Sequence, residues 1–143
     1  MSDDQSECVC IVDVSGLHEI ASTRSDNLRK FYIDQLKSGV ICVSTSTWSE
    51  FKEIYEDEAA FLDSHITKRV KLKRAYSICT ASIADKLNSG FSRGPYDRNA
   101  DLYTASIATV EDYIVLSSAS HKSAYDGMGC QVSELSDWAE LFK

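Results

Sequence analysis

Cys8-Val9-Cys10-Ile11-Val12-Asp13-Val14-Ser15-Gly16-Leu17 is an apolar run of strand length that carries one acid and then a Ser-Gly pair. A strand buried on both faces reads as a continuous hydrophobic run rather than an alternating one, so the stretch predicts a central strand of a parallel sheet. In such sheets ligands collect outside the carboxyl ends of the strands. Asp13, delivered there by an otherwise apolar segment, is the first candidate site residue.

The chain around it has 143 residues, enough for one domain with its own core and short for two of ordinary size. Residues 1–7 are polar and acidic and read as a disordered tail, which leaves 8–143 as a single domain. With 43% hydrophobic residues, 26% charged residues and a single Pro, the composition excludes a fibrous repeat or a disordered chain. No apolar stretch approaches the roughly 20 residues that span a bilayer, and the start is acidic where a signal peptide is basic, so the expectation is a cytoplasmic protein with no membrane partner. The five cysteines are odd in number, show no C-x-x-C spacing and fall mostly in apolar runs, which predicts buried free thiols.

A net charge of −7 argues against capture of nucleic acid by the whole surface. The local exception is Lys68-Arg69-Val70-Lys71-Leu72-Lys73-Arg74, whose ordinary reading is a solvated helix face.

Further along, Leu17, Ile20 and Ala21 recur at helical spacing. Ser25-Asp26 caps a second helix over Asn27 to Lys37, which Ser38-Gly39 ends. Val40 to Val43 is a short strand, and Ser44 to Thr47 caps a helix that turns Trp48, Phe51, Ile54 and Tyr55 inward, with Glu50 near its first turn. From Glu56 to Asn88 the pattern is helical, too long for one helix and predicted to break around 63–67. Ser89 to Pro95 is a loop. A helix from about Asp97 to Thr109 shows a narrow face of small residues, and Tyr113 to Leu116 is a third strand. His121 to Met128 reads as a short helix, Cys130 to Val132 as a last strand, and Ser133-Glu134 as the cap of a terminal helix through Trp138. Strands alternating with helices make an α/β/α sandwich, a three-layer fold with a central parallel sheet of four to five strands.

In that arrangement Asp13, Glu50 and Asp101 all reach one crevice. Three carboxylates on one rim raise one another's pKa unless a divalent cation neutralises them, and oxygen ligands suit Mg²⁺ or Mn²⁺. Ser15, just after the strand, reads as an ordinary helix cap; Asp97 has either a supporting role or, more simply, a helix-terminal one. Ser117 and Ser118 line the crevice without being nucleophiles, since no His or Lys is arranged beside them as a base. His121 can meet a phosphate, although a lone His after a strand is more often incidental, and His18 and His65 have no metal-ligand spacing.

The ordered combination resembles the PIN domain family, small metal-dependent ribonucleases that include many bacterial toxins. Ile11-Val12-Asp13-Val14-Ser15 resembles the opening D-x-S, Ser44 to Phe51 with Glu50 the strand-then-Glu element, and Ala100 to Ala108 the D-x-x-x-A-x-x-A helix. The resemblance implies Asp13, Glu50 and Asp101 as metal ligands, Ser15 as a support that bonds a carboxylate or a metal-bound water, Mg²⁺ or Mn²⁺ as cofactor, an RNA substrate, frequent homodimers and, for toxins, an antitoxin that occludes the site. Within it Lys68, Arg69, Lys71, Lys73 and Arg74, with Arg93 and Arg98, become a track for the RNA backbone.

One departure stands out. The family usually follows the third strand with Thr/Ser-x-Asp, a fourth acid, where this chain has Ser117-Ser118-Ala119. Either the chain naturally lacks that ligand or Ala119 replaces an Asp to silence a toxic nuclease. The alternative function is a non-catalytic PIN-like module that binds RNA or a protein partner. A phosphatase or receiver domain is disfavoured, because no second acid adjoins Asp13 and no late Lys accompanies it.

Overall fold

The structure is a computed structural model, and the residues it describes are 7–87 and 98–141. β1 (Cys10–Val12) leads into α1 (Val14–Ser22) and α2 (Asp26–Ser38), then β2 (Ile41–Ser44), α3 (Thr45–Ile54) and α4 (Glu56–Leu62). A 3-10 turn at Asp63–His65 precedes β3 (Arg69–Val70) and α5 (Arg74–Leu87). α6 (Arg98–Glu111), β4 (Ile114–Ser117), a second 3-10 turn at Lys122–Tyr125, β5 (Gln131–Glu134) and α7 (Leu135–Glu140) complete the order.

The five strands form one parallel sheet in the order β3-β2-β1-β4-β5, with β1 central as its sequence predicts. Cys10 pairs with Ile41 on one side and Ile114 on the other, and all three β1 residues are fully buried. Alternation of side chains divides the core between the two faces. Cys10 and Val12 point toward Leu17, Tyr32, Leu36, Phe51 and Trp138, whereas Ile11 points toward Tyr76, Leu102, Ile107 and Val115. The sandwich is therefore three-layered, with α5 and α6 on the second face. Among the described residues no helix is long and apolar enough to cross a membrane.

Local chemistry sets several boundaries. Ser25 caps α2 by accepting from the Leu28 N–H, and Gly39, at φ 86°, ends it in the left-handed region that glycine enters freely. All five cysteines are free thiols, three of them buried.

Three expectations need correction. The basic run is not a helix face: Arg69 and Val70 form the edge strand β3, and α5 begins only at Arg74. Ile54 is 52% exposed rather than inward. The segment after β4 folds into a 3-10 turn at Lys122–Tyr125 where a helix from His121 to Met128 is expected. The loop 89–95, with Arg93 and Asp97, lies outside the described residues.

Gly16 shows how tightly α1 is seated on the sheet. A Cβ there would lie 2.5 Å from Val12 Cγ2, 2.7 Å from the Leu116 carbonyl oxygen and 3.3 Å from Asp13 Oδ1. Val12 and the β4 backbone have little room to yield, so α1 must lift. Gly16→Ala is expected to destabilise the fold by about 1–3 kcal/mol, as overpacking does, and urea denaturation checks it.

Candidate active site

Asp13 ends β1 and is the N-cap of α1, its side chain accepting from the Gly16 N–H at 2.7 Å. Capping alone would account for an Asp here. The remaining contacts go further. Ser15 Oγ donates to the same oxygen, Oδ1, at 2.8 Å, while Ser117 Oγ and the Tyr125 hydroxyl donate to Oδ2 at 2.8 and 2.7 Å. The carboxylate is 1% exposed and accepts four hydrogen bonds. Burial pushes its pKa up, against the pull of the bonds from Tyr125, Gly16 and Ser117; the nearby Asp101 charge adds to the rise.

Asp101, in the first turn of α6, meets Asp13 through Tyr125. The phenol oxygen lies 3.1 Å from Asp101 Oδ1, and His121 Nε2 lies 3.0 Å from Asp101 Oδ2. A phenol has one proton, so it serves the shorter contact to Asp13 and leaves Asp101 incompletely satisfied on that side. Hydrogen bonding to Asp101 raises the His121 pKa, with burial opposing, and the charges of Asp101, Asp13 and Glu50 add to the rise. Ligand atoms of Asp13, Asp101 and His121 all fall within 4.8 Å of one another.

Two helices are pinned so that their acids share this end of the sheet. Thr47 of α3 and Thr104 of α6 form a buried hydroxyl pair at 3.0 Å. Glu50 lies one turn after Thr47 and Asp101 one turn before Thr104, so each acid shares a helix face with its threonine. Glu50 and Asp101 line one cleft of about 480 Å³ with Ser15, Glu19, Ser118, Ser120 and His121. Ala119 is exposed in the turn between two of these serines.

The site thus brings Asp13, Asp101, Ser15 and Ser117 into one hydrogen-bonded cluster and places Glu50 on the cleft wall. Its donor chemistry, two buried carboxylates and an imidazole beside two further acids, suits a divalent cation. Spacing assigns no role to Tyr125 or Glu19 and leaves His121 incidental, yet Tyr125 joins the two acids and His121 holds one of them. The pKa of Glu19 is raised by burial first and then by the charges of Glu134 and Asp13.

The basic run divides. Arg69 Nη2 pairs with Asp63 at 2.7 Å and its guanidinium lies 4.7 Å from the Trp48 ring centroid, so its charge is tied to the protein. Lys71, Lys73 and Arg74 are exposed just beyond the carboxyl end of β3, the edge of the parallel sheet on which Asp13 also lies. Arg98 is the first residue of α6.

No family model and no curated protein matches the chain. Solved structures do. DNA-bound VapBC from Salmonella typhimurium superposes with a TM-score of 0.69 at 15% identity, over 90% of this chain and 99% of that one. VapBC2 from Rickettsia felis, bound to a DNA fragment from their promoter, gives 0.65 at 14% over 88% and 98%. FitAcB from Neisseria gonorrhoeae gives 0.64 at 12% over 89% and 98%. At these identities the likeness establishes the fold, and that fold is the PIN-type sandwich with a five-stranded parallel sheet.

Proposed function

We propose that the chain is a metal-dependent endoribonuclease of the PIN type, the toxin of a toxin-antitoxin pair. The observation that carries this reading is the buried Asp13–Tyr125–Asp101 bridge, at the strand ends and beside an acid-lined cleft. The fold's neighbours are toxin-antitoxin complexes, which supports an antitoxin partner as well.

Asp13, Asp101 and Glu50 would hold Mg²⁺ or Mn²⁺, with His121 orienting Asp101. Such an ion, when bound, supplies charge neutralisation and an activated water for in-line hydrolysis of a phosphodiester. The chain's own residues do the positioning. Ser15 and Ser117 both give their only hydroxyl proton to Asp13, which makes them holders of that carboxylate rather than nucleophiles. Lys71, Lys73 and Arg74 offer the RNA backbone a local positive surface on a chain whose net charge is −7. Asp97 and Arg93, which lie outside the described residues, keep their proposed supporting and RNA-binding roles, and Arg98, at the start of α6, keeps its RNA-binding role.

Ala119 favours one other reading, a PIN-like module that binds RNA or a protein without cutting. Cleavage of labelled RNA in Mn²⁺ or in chelator, by the parent chain beside Ala119→Asp, separates the two. The acid restores a ligand next to the cleft, so Ala119→Asp is expected to cut roughly tenfold faster or more, and chelator to stop it. If neither form cuts yet RNA is retained, the binding module replaces the nuclease.

A further inference from the structure

His18, which has no metal-ligand spacing, lies on the wall of the same cleft as Glu50 and Asp101. Its ring is stacked on Tyr55 with centroids 4.2 Å apart and planes 17° from parallel. Nδ1 is 2.8 Å from Glu58 Oε1, a hydrogen bond in which the ring donates and is held in its plane. Three elements, α1, the end of α3 and α4, therefore fix one imidazole. Its side chain is nonetheless 42% exposed. The ring is thus stacked through one face, anchored at one edge and still this open on the cleft wall, so part of its surface is left for a ligand in the cleft.

The position along α1 adds a length scale. His18 follows the Asp13 cap by five residues, about 7 Å along the helix axis, and Ser15 lies one turn before it on the same side. That distance is within the span of a single nucleotide whose phosphate lies at the acids. Ile54, half exposed, borders the same wall and adds apolar surface.

We propose that the His18–Tyr55 stack is a nucleobase platform, on which the base of one nucleotide of a single-stranded RNA stacks against His18 while its phosphate chain runs to Asp13 and Asp101. The inference rests on the ribonuclease reading and deepens it by naming how the strand is held. Base stacking on a planar side chain tolerates every base, because each has a π-face, so the platform fixes register more than sequence. Electrostatics supports the division of labour. The cleft is rich in carboxylates that repel a polyanion, and stacking is an attraction that does not depend on the charge of the strand.

The test uses the full-length chain and a fluorescein-labelled, 2′-O-methyl single-stranded oligonucleotide that resists cleavage, in Mg²⁺, followed by anisotropy. A set of oligonucleotides carries one abasic residue at each position in turn. His18→Ala is expected to weaken binding of the intact strand about tenfold, and His18→Phe to retain it. One abasic position should cost the parent chain the same factor, and His18→Ala should lose nothing further with that strand. Additive losses at every abasic position, or an equal loss in His18→Phe, would overturn the platform. So would an unchanged affinity in His18→Ala. Cleavage of unmodified RNA by the same preparations distinguishes the two levels. If the chain cuts RNA while the losses are additive, the ribonuclease stands and the stack serves another purpose, such as a partner protein's side chain. If the chain does not bind the strand and neither it nor Ala119→Asp cuts RNA, both readings fall.

Discussion

Asp13→Asn is expected to abolish metal-dependent RNA cleavage and at the same time to raise the melting temperature at neutral pH. The activity loss follows from removing the carboxylate at the centre of the cluster and should be on the order of 10²–10³-fold or greater, as for loss of a main electrostatic group. The gain in stability follows from the direction of the pKa. Asp13 holds its proton more tightly in the fold than in the unfolded chain, because burial penalises its charge more than Tyr125, Gly16 and Ser117 compensate. Between the ordinary carboxylate range and the raised folded value, the folded state binds more protons than the unfolded one. Stability therefore falls as pH rises through that interval and stays lowered above it. Asn carries no charge, still caps α1, and its amide can donate to Ser117 or Tyr125 where the carboxylate accepted. Each kcal/mol of relief would raise Tm by roughly 4 °C for a chain of this length. Thermal denaturation in chelator between pH 4 and pH 8 checks this. The advantage of Asp13→Asn should shrink as the pH falls into the range where Asp13 is protonated in both states. A lower Tm at every pH would mean that Asp13 is fully compensated in the fold and acts as a structural cap.

The same pairing of burial with charge explains what the sequence discloses and what it hides. β1 is legible because it is buried on both faces, and nothing but a continuous apolar run satisfies that environment. α2 is legible because Ser25 and Gly39 punctuate it. β3 is not, since a two-residue edge strand needs no apolar run, and Arg69 is accommodated there by Asp63 and the Trp48 ring. Ile54 is assigned inward by its spacing and stands exposed for a related reason: helical periodicity locates a face, but only the tertiary structure says how far the neighbouring element covers it. Asp13 and Asp101 stand out as acids at strand and helix ends. Their connecting group does not, because Tyr125 is 112 residues from Asp13 and 24 from Asp101, in a segment whose pattern suggests only a short helix. His121 is equally silent. One histidine has no spacing, and its role appears only where α6 and the turn after β4 meet.

Tyr125→Phe is the sharper test of that connecting group. The side chain is 3% exposed, and its hydroxyl is 2.7 Å from Asp13 Oδ2 and 3.1 Å from Asp101 Oδ1. Replacing it with Phe keeps the ring in the buried cluster that also holds Met128 and Ile107 and deletes only the oxygen. Asp13 Oδ2 is then left with Ser117, and two buried carboxylates face each other with no donor between them. Removing one partner of a buried charged acceptor loses roughly 2 kcal/mol, which at this chain length lowers Tm by about 8 °C in chelator. A divalent cation fulfils the need that the hydroxyl met, so Mn²⁺ should raise the melting temperature of Tyr125→Phe by more than it raises that of the parent, the difference following the usual linkage of binding to stability. The substitution should also cost much less in an Asp13→Asn background, because the charge that needed the donor is gone and the two sites are in direct contact. Equal losses in both backgrounds, with no differential response to Mn²⁺, would show that the phenol acts through its packing and that the two acids do not depend on it.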